Sequence, residues 1–199
     1  MELTVGSLVQ NSIKKGIKYV GPLVVNVFLF GLTWWIPYLN VGTAIGLFWG
    51  IPTKMSRDEE ILITEIFDPK YRKNMGEIFL TLSFVSSGVA IGALFMFVPA
   101  LVIQVSWSLA TLLVADKEYG PIDAIKKSND LTYGKKWTIF FGSLVLKILL
   151  FVACGILVSI FSMIHSGLGV LVGLVCILFV ASILLGFKGE LYGTLAKDA

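Results

Sequence analysis

Apolar residues gather into four long stretches, at about 19–53, 77–115, 137–163 and 167–187, and the short segments between them hold nearly all the charge. An α-helix rises ~1.5 Å per residue and a bilayer's hydrocarbon core is ~30 Å thick, so about 20 residues suffice for one crossing. The first two stretches are about twice that length. Each has a proline near its middle, Pro37 in Ile36-Pro37-Tyr38-Leu39-Asn40 and Pro99 in Phe97-Val98-Pro99-Ala100. Proline lacks a backbone donor and clashes with the preceding turn, so each marks a corner. The last two stretches meet at the polar turn Ile164-His165-Ser166-Gly167. The pattern predicts an all-α polytopic transmembrane bundle: six spans in three hairpins, over about 19–53, 77–115 and 137–191, forming one membrane domain across 1–199.

Charge placement tests that count. Three hairpins put segments 1–18, 54–76, 116–136 and the C-terminal tail on one side, and these hold every Lys and Arg except Lys147. The connections around Pro37, Pro99 and His165 hold none. Basic residues favour the cytoplasmic side, so both termini are expected there, as in a protein of the inner-membrane (cytoplasmic-membrane) type. If 77–115 were a single kinked span, the basic segments flanking it would fall on opposite sides. Lys14, Lys15 and Lys18 precede an apolar run that continues to Trp35, longer than a signal peptide's apolar region and without a small-residue cleavage pattern, so a retained first span is expected.

Composition agrees. The chain of 199 residues is 56% hydrophobic and 15% charged, against roughly 25% charged in soluble domains. Its mean hydropathy is +0.87. A net charge of +3 gives little support to nucleic-acid binding. Cys154 and Cys176 lie inside apolar runs and read as small packing residues, and the single histidine, His165, cannot build a metal site alone. No metal and no cofactor is expected.

The basic connections carry helical signals, predicting amphipathic interfacial helices on the cytoplasmic side. Ser56-Arg57-Asp58-Glu59 has the spacing of a capping box, followed by Leu62, Ile63, Ile66 and Phe67 and a stop at Asp68-Pro69. Gly120-Pro121 opens another helix, with Ile122, Ile125 and Leu131 as its apolar stripe and Gly134 as its end. At the N-terminus Val5, Leu8, Val9, Ile13 and Ile17 form a third stripe. Such helices lie in the headgroup plane with lysines toward anionic phosphates.

Within the spans, Gly42, Gly46 and Gly50 make a double GxxxG run, and Gly88 with Gly92 and Gly169 with Gly173 make single ones. Glycines at this spacing allow close helix packing, inside the chain or in a homo-oligomer. Lys147 falls near mid-membrane if its span starts at Trp137, where an isolated charge costs roughly 2.5–3.5 kcal/mol. Either it snorkels or pairs with Glu190, or it contacts an anion or a lipid headgroup. Asn26 and Gln104 are the other polar candidates, each as an interhelical hydrogen bond or as a ligand group.

The stretch from Phe97 to Phe141, with Pro99, Ala115-Asp116 and a helix carrying Ala124, Ser128, Leu131 and Gly134, resembles a family of small bacterial membrane proteins of unknown function. That family is related to the membrane domain attached to some glycerophosphodiester phosphodiesterases. Ile66-Phe67 before a basic segment is also similar, and Ala100 departs from the glycine the family tends to have after the proline. The resemblance implies a multi-span helical fold and a bacterial origin. It does not imply phosphodiesterase activity.

No cluster of nucleophile, base and oxyanion donors is visible, so an enzyme is not expected. A non-enzymatic scaffold or accessory protein, organising lipids or partner membrane proteins, is the leading expectation. The alternative is a small transporter or channel for an ion or anionic solute, with Lys147 lining the path.

Overall fold

The computed structural model describes residues 3–196, and every regular element within them is helical. Helix α1 (Val5–Lys18) starts at Thr4, whose side chain and that of Ser7 cap each other's backbone amides. The chain bends by 75° into α2 (Val20–Thr33). A turn through Trp34–Tyr38 leads to α3 (Leu39–Ile45), a π-helical turn (Gly46–Gly50) and α4 (Ile51–Ser56). A 3-10 turn (Glu65–Phe67) and α5 (Lys70–Lys73) precede α6 (Met75–Leu94) and α7 (Phe97–Ser106). Then come α8 (Ala110–Lys117), α9 (Pro121–Thr132), α10 (Lys136–Ile164) and α11 (Ser166–Leu195).

Four helical runs are long and apolar enough to cross a membrane: Met75–Leu94, Phe97–Lys117, Lys136–Ile164 and Ser166–Leu195. The bent α1–α2 pair makes a fifth if taken as one span. Length and composition therefore stop short of six. α2 has 14 residues, about 21 Å of helix, and the run after it is interrupted by Asn40, Thr43 and Thr53.

The main core surrounds α8. Leu109, Leu112, Leu113 and Val114 are at most 1% exposed, and Leu8, Ile45, Tyr71, Ile78, Ala124, Ile139 and Leu191 belong to the same cluster. A second cluster joins Leu23, Leu47, Ile51, Met55, Ile66 and Leu185. Both lie toward the charged end of the molecule. The outer half of the α10–α11 pair is exposed instead, with Phe151 at 81% and Met163 at 88%.

Three sequence expectations need correction. The corner expected at Pro99 falls at Phe95–Met96, where Met96 has φ 126°, and Pro99 sits in the first turn of α7. A first-turn proline forfeits no intrahelical hydrogen bond, so its presence is no reason for a break there. The helix expected after Ser56 does not form: residues 57–64 are irregular, and the Ser56 hydroxyl donates to the Thr53 carbonyl instead of capping forward. Here Arg57 bridges Glu59 and Asp116, while Asp58 (φ 56°) accepts from Lys18, and these ion pairs hold the loop open.

The third correction concerns the amphipathic faces. α1 buries Leu8, Ser12 and Gly16, and α9 buries Ala124, Ser128 and Thr132, while Ile17 and Ile122 of the expected stripes stay 50% and 59% exposed. Small residues four apart let backbones meet. Gly16 abuts Ile183 of α11, and the Ser128 hydroxyl donates to the Ser106 carbonyl (2.7 Å) and accepts from the Leu109 amide (3.1 Å). That pair of bonds satisfies the backbone where α7 breaks from α8. Gly134, with φ 74°, ends the α9 segment as expected.

The predicted glycine seats all receive partners from the same chain. Arg72's aliphatic stem covers Gly42, the Tyr71 ring covers Gly46 and Gly50, and Trp107 covers Gly88. Gly92 meets Ala100 and Ile103, Gly169 meets Ser162, and Gly173 lies 3.8 Å from Val158. The thiols Cys154 and Cys176 are free and line one groove between α10 and α11. Mild copper–phenanthroline oxidation in membranes is expected to join them within one chain, removing both from maleimide labelling without producing a dimer on a non-reducing gel. Undiminished labelling after oxidation would show a different register for the pair.

Candidate functional site

Lys147, the most anomalous residue of the sequence, lines a cavity of about 410 Å³ between α7–α8, α10 and α11. Helical spacing of four puts two polar groups from α10 and two from the α7 segment on that face, and α11 adds one. α10 presents Ser143 and Lys147, α7 and the link after it present Gln104 and Ser108, and α11 presents Lys188 one turn after Leu184. Leu101, Val105, Leu112, Phe140 and Phe187 complete the walls. Two cations face this space and no acid does.

The cations are weakly compensated. Among the described residues Lys147 and Gln104 have no hydrogen-bond or ion-pair partner. Lys188 reaches only the Phe48 carbonyl at 3.4 Å, with its ammonium 5.7 Å from the Phe48 ring and 5.9 Å from the Trp49 ring. Aromatic faces at that range attract a cation without neutralising it. The expected Lys147–Glu190 pair does not exist. Glu190 lies two residues past Lys188, on the other side of α11, where it accepts from Lys15 (2.9 Å) and Asn11 (2.9 Å) of α1. Low-dielectric walls around unpaired positive charge focus the field on any anion that enters.

A second, apolar groove of about 680 Å³ begins at the same lysine. Lys147 and Leu184 line both spaces, and Leu150, Phe151, Val158, Gly173, Ile177 and Val180 carry the groove outward along α10 and α11. About 26 Å of helix separates Lys147 from Ile164 at the tip, and about 33 Å separates Lys188 from Ser166. Both lengths are close to one hydrocarbon thickness. α10 starts at Lys136, about 16 Å on the other side of Lys147, and that inner part packs against Leu8 at Gly142. Lys147 thus lies between the packed, charged end and the exposed apolar pair.

The other sequence candidate lies elsewhere. Asn26 is fully buried, donates to the Pro22 and Leu62 carbonyls (2.8 Å each) and accepts from the Ile66 amide (3.1 Å), so it ties α2 to the connection before α5. Both of its amide protons go to backbone carbonyls and its oxygen accepts from a backbone amide. Lys188 was missed because a helix ending near 187 leaves it in a tail, whereas α11 continues to Leu195.

A polar cavity of about 510 Å³ opens at the charged end beside Arg57, Asp116 and Tyr192. Its groups answer one another: Asp116 accepts from Arg57 (2.5 Å) and from the Tyr192 hydroxyl (2.8 Å). The lysine cavity is the one that leaves charge unanswered. No family model, curated protein or solved structure matches this chain.

Proposed function

We propose that the chain is a non-enzymatic integral membrane protein that binds and organises anionic lipids, with its charged end in the cytoplasm. The observation that carries this reading is the continuity at Lys147 of an acid-free, two-lysine cavity with an apolar groove. A phospholipid has the matching form: its phosphate faces Lys147 and Lys188, the Gln104 amide donates to a headgroup oxygen, and an acyl chain follows Leu150, Val158 and Ile177. The helix lengths support this placement, since they set both lysines at headgroup level when the α10–α11 tip reaches the far interface. A lysine there carries little of the cost of a charge at the bilayer centre. The placement of Lys and Arg supports a cytoplasmic location for both termini.

Native mass spectrometry from nanodiscs of mixed phosphatidylglycerol and phosphatidylcholine tests the reading. Wild type is expected to retain the anionic lipid preferentially. Each lysine near a headgroup contributes about 1 kcal/mol, so Lys147→Ala with Lys188→Ala is expected to weaken that retention about 30-fold. Equal retention by wild type and variant overturns the proposal.

One observation favours a second reading, a small anion transporter: the break between α7 and α8 lines the same cavity through Ser108 and Leu109. Interrupted helices at a binding site are a transporter device. Saturable anion flux in proteoliposomes, abolished by Lys147→Ala, would favour it.

A further inference from the structure

We infer that the ligand of the lysine cavity is a lipid phosphomonoester, a lipid whose headgroup is a bare phosphate, and that phosphodiester lipids are held there more weakly. The inference rests on the proposed binding of anionic lipid at Lys147 and names the class of that lipid.

Lys147 and Lys188 face the cavity, and no Asp, Glu or His lines it. Glu190 is engaged by Lys15 and Asn11 on the other side of α11. The Phe48 carbonyl that Lys188 reaches carries no charge. Two positive charges are therefore left for the ligand to answer, beside walls of low dielectric where an unanswered charge costs more than in water. A phosphodiester such as that of phosphatidylglycerol brings one negative charge. A phosphomonoester brings nearly two at pH 7, on three terminal oxygens. The cavity holds about 410 Å³ and lysine's four-carbon stem is flexible, so both ammonium groups can close on one phosphate.

Hydrogen-bonding capacity points the same way. Each lysine has three N–H donors and the Gln104 amide has two. Both serine hydroxyls in the lining are spent on their own helix turns, Ser108 donating to the Val105 carbonyl (2.8 Å) and Ser143 to the Phe140 carbonyl (2.9 Å). Side-chain acceptors are limited to the Gln104 oxygen and these two hydroxyl oxygens, none of them charged. Donors in excess suit a group that only accepts. A headgroup alcohol beyond the phosphate fares worse. The inner wall is formed by Leu109, Leu112, Ile139 and Leu146, each at most 3% exposed, and it gives a glycerol hydroxyl no partner. An ethanolamine or choline cation would meet two lysines and no carboxylate. The groove past Leu150 accepts a chain whatever the headgroup, so the lysines make the choice.

Wild-type protein in phosphatidylcholine nanodiscs with equal amounts of phosphatidate and phosphatidylglycerol tests this by native mass spectrometry. At pH 7 phosphatidate is expected to be retained about tenfold over phosphatidylglycerol, one further charge set against two lysines. The second proton of a phosphomonoester leaves at about pH 6, and facing lysines lower that value in the site, so the preference is full above pH 6 and fades as pH falls to 5. The titratable groups facing the phosphate are Lys147 of α10 and Lys188 of α11, and no charged residue of α1, α4, α7 or α8 lines the cavity. Phosphatidylglycerol keeps its single charge over this range and serves as the internal reference. Lys147→Gln and Lys188→Gln, each alone, should bring the preference close to one, while Lys147→Arg keeps it.

Equal retention of the two lipids at pH 7, or a preference unchanged at pH 5, overturns the monoester assignment, and anionic-lipid binding still stands if both exceed phosphatidylcholine. Retention of neither overturns both proposals. A preference that survives both glutamine variants places the phosphate elsewhere and overturns the assignment to this cavity. Soluble glycerol 3-phosphate carries the phosphate without a chain, and its binding in preference to phosphatidate overturns the lipid part of the inference.

Discussion

Glu65→Ala is expected to lower stability by about 3–5 kcal/mol, the cost of breaking a buried ion pair by removing one partner. The Glu65 side chain is 1% exposed and accepts from Lys54 (2.8 Å), Lys70 (3.0 Å) and the Tyr71 hydroxyl (2.7 Å). Removing it leaves the Lys54 ammonium with only the Glu60 carbonyl (3.3 Å) and a buried phenol unanswered beside the Gly46–Gly50 turn. Burial by itself raises the Glu65 pKa, but hydrogen bonds from Lys54, Tyr71 and Lys70 outweigh it and hold the carboxyl at about 2. A depressed carboxylate pKa gives stability that is present above the ordinary value near 4.5 and is lost as pH falls toward 2. Thermal unfolding in detergent should therefore show the full Glu65→Ala deficit unchanged from pH 7 to pH 5, shrinking only in stronger acid. A deficit that vanished by pH 5 would contradict the assignment.

Gly186→Val is expected to undock α1, at a cost of about 3 kcal/mol, the upper range for overpacking. A Cβ at Gly186 would stand 2.7 Å from the Ser12 carbonyl oxygen and 2.9 Å from the Gly16 nitrogen, and backbone cannot swing aside as a side-chain end can. Undocking also frees Lys15 and Asn11 from Glu190. Trypsin sensitivity at Lys14, Lys15 and Lys18, together with the melting temperature, reads the effect. Gly155→Ala is the control, because nothing lies within 4 Å of the Cβ it adds, and a change within about 0.5 kcal/mol is expected. Equal behaviour of the two variants would show that α1 is not held by this contact.

These two sites mark where sequence reasoning reached and where it stopped. The glycine spacing at Gly42, Gly46 and Gly50 announced close packing, but not that Tyr71 and Arg72 of a charged segment fill it. Gly189 and Gly193, which receive α4, keep the four-residue spacing but lie past the apolar run, and Gly186, which receives α1, has no glycine four residues away. Lys147 was found because a charge in an apolar run stands out. Its partner in the cavity, Lys188, was hidden because the end of a helix cannot be seen where apolar residues give way gradually to polar ones.

Hydropathy and length by themselves determined that the chain is helical and membrane-compatible, because apolar runs of this length can satisfy their backbone in lipid only as helices. The breaks at Pro37 and His165 were legible too, as was the start of α9 from Gly120-Pro121. Which face of each short helix is buried and which cations are left unpaired were decided by tertiary structure alone. Those outcomes depend on backbone approach and on bonds between distant segments, such as Ser128 with Ser106 and Asn26 with Ile66. Periodicity records only the polarity of a face, and not which distant segment packs against it.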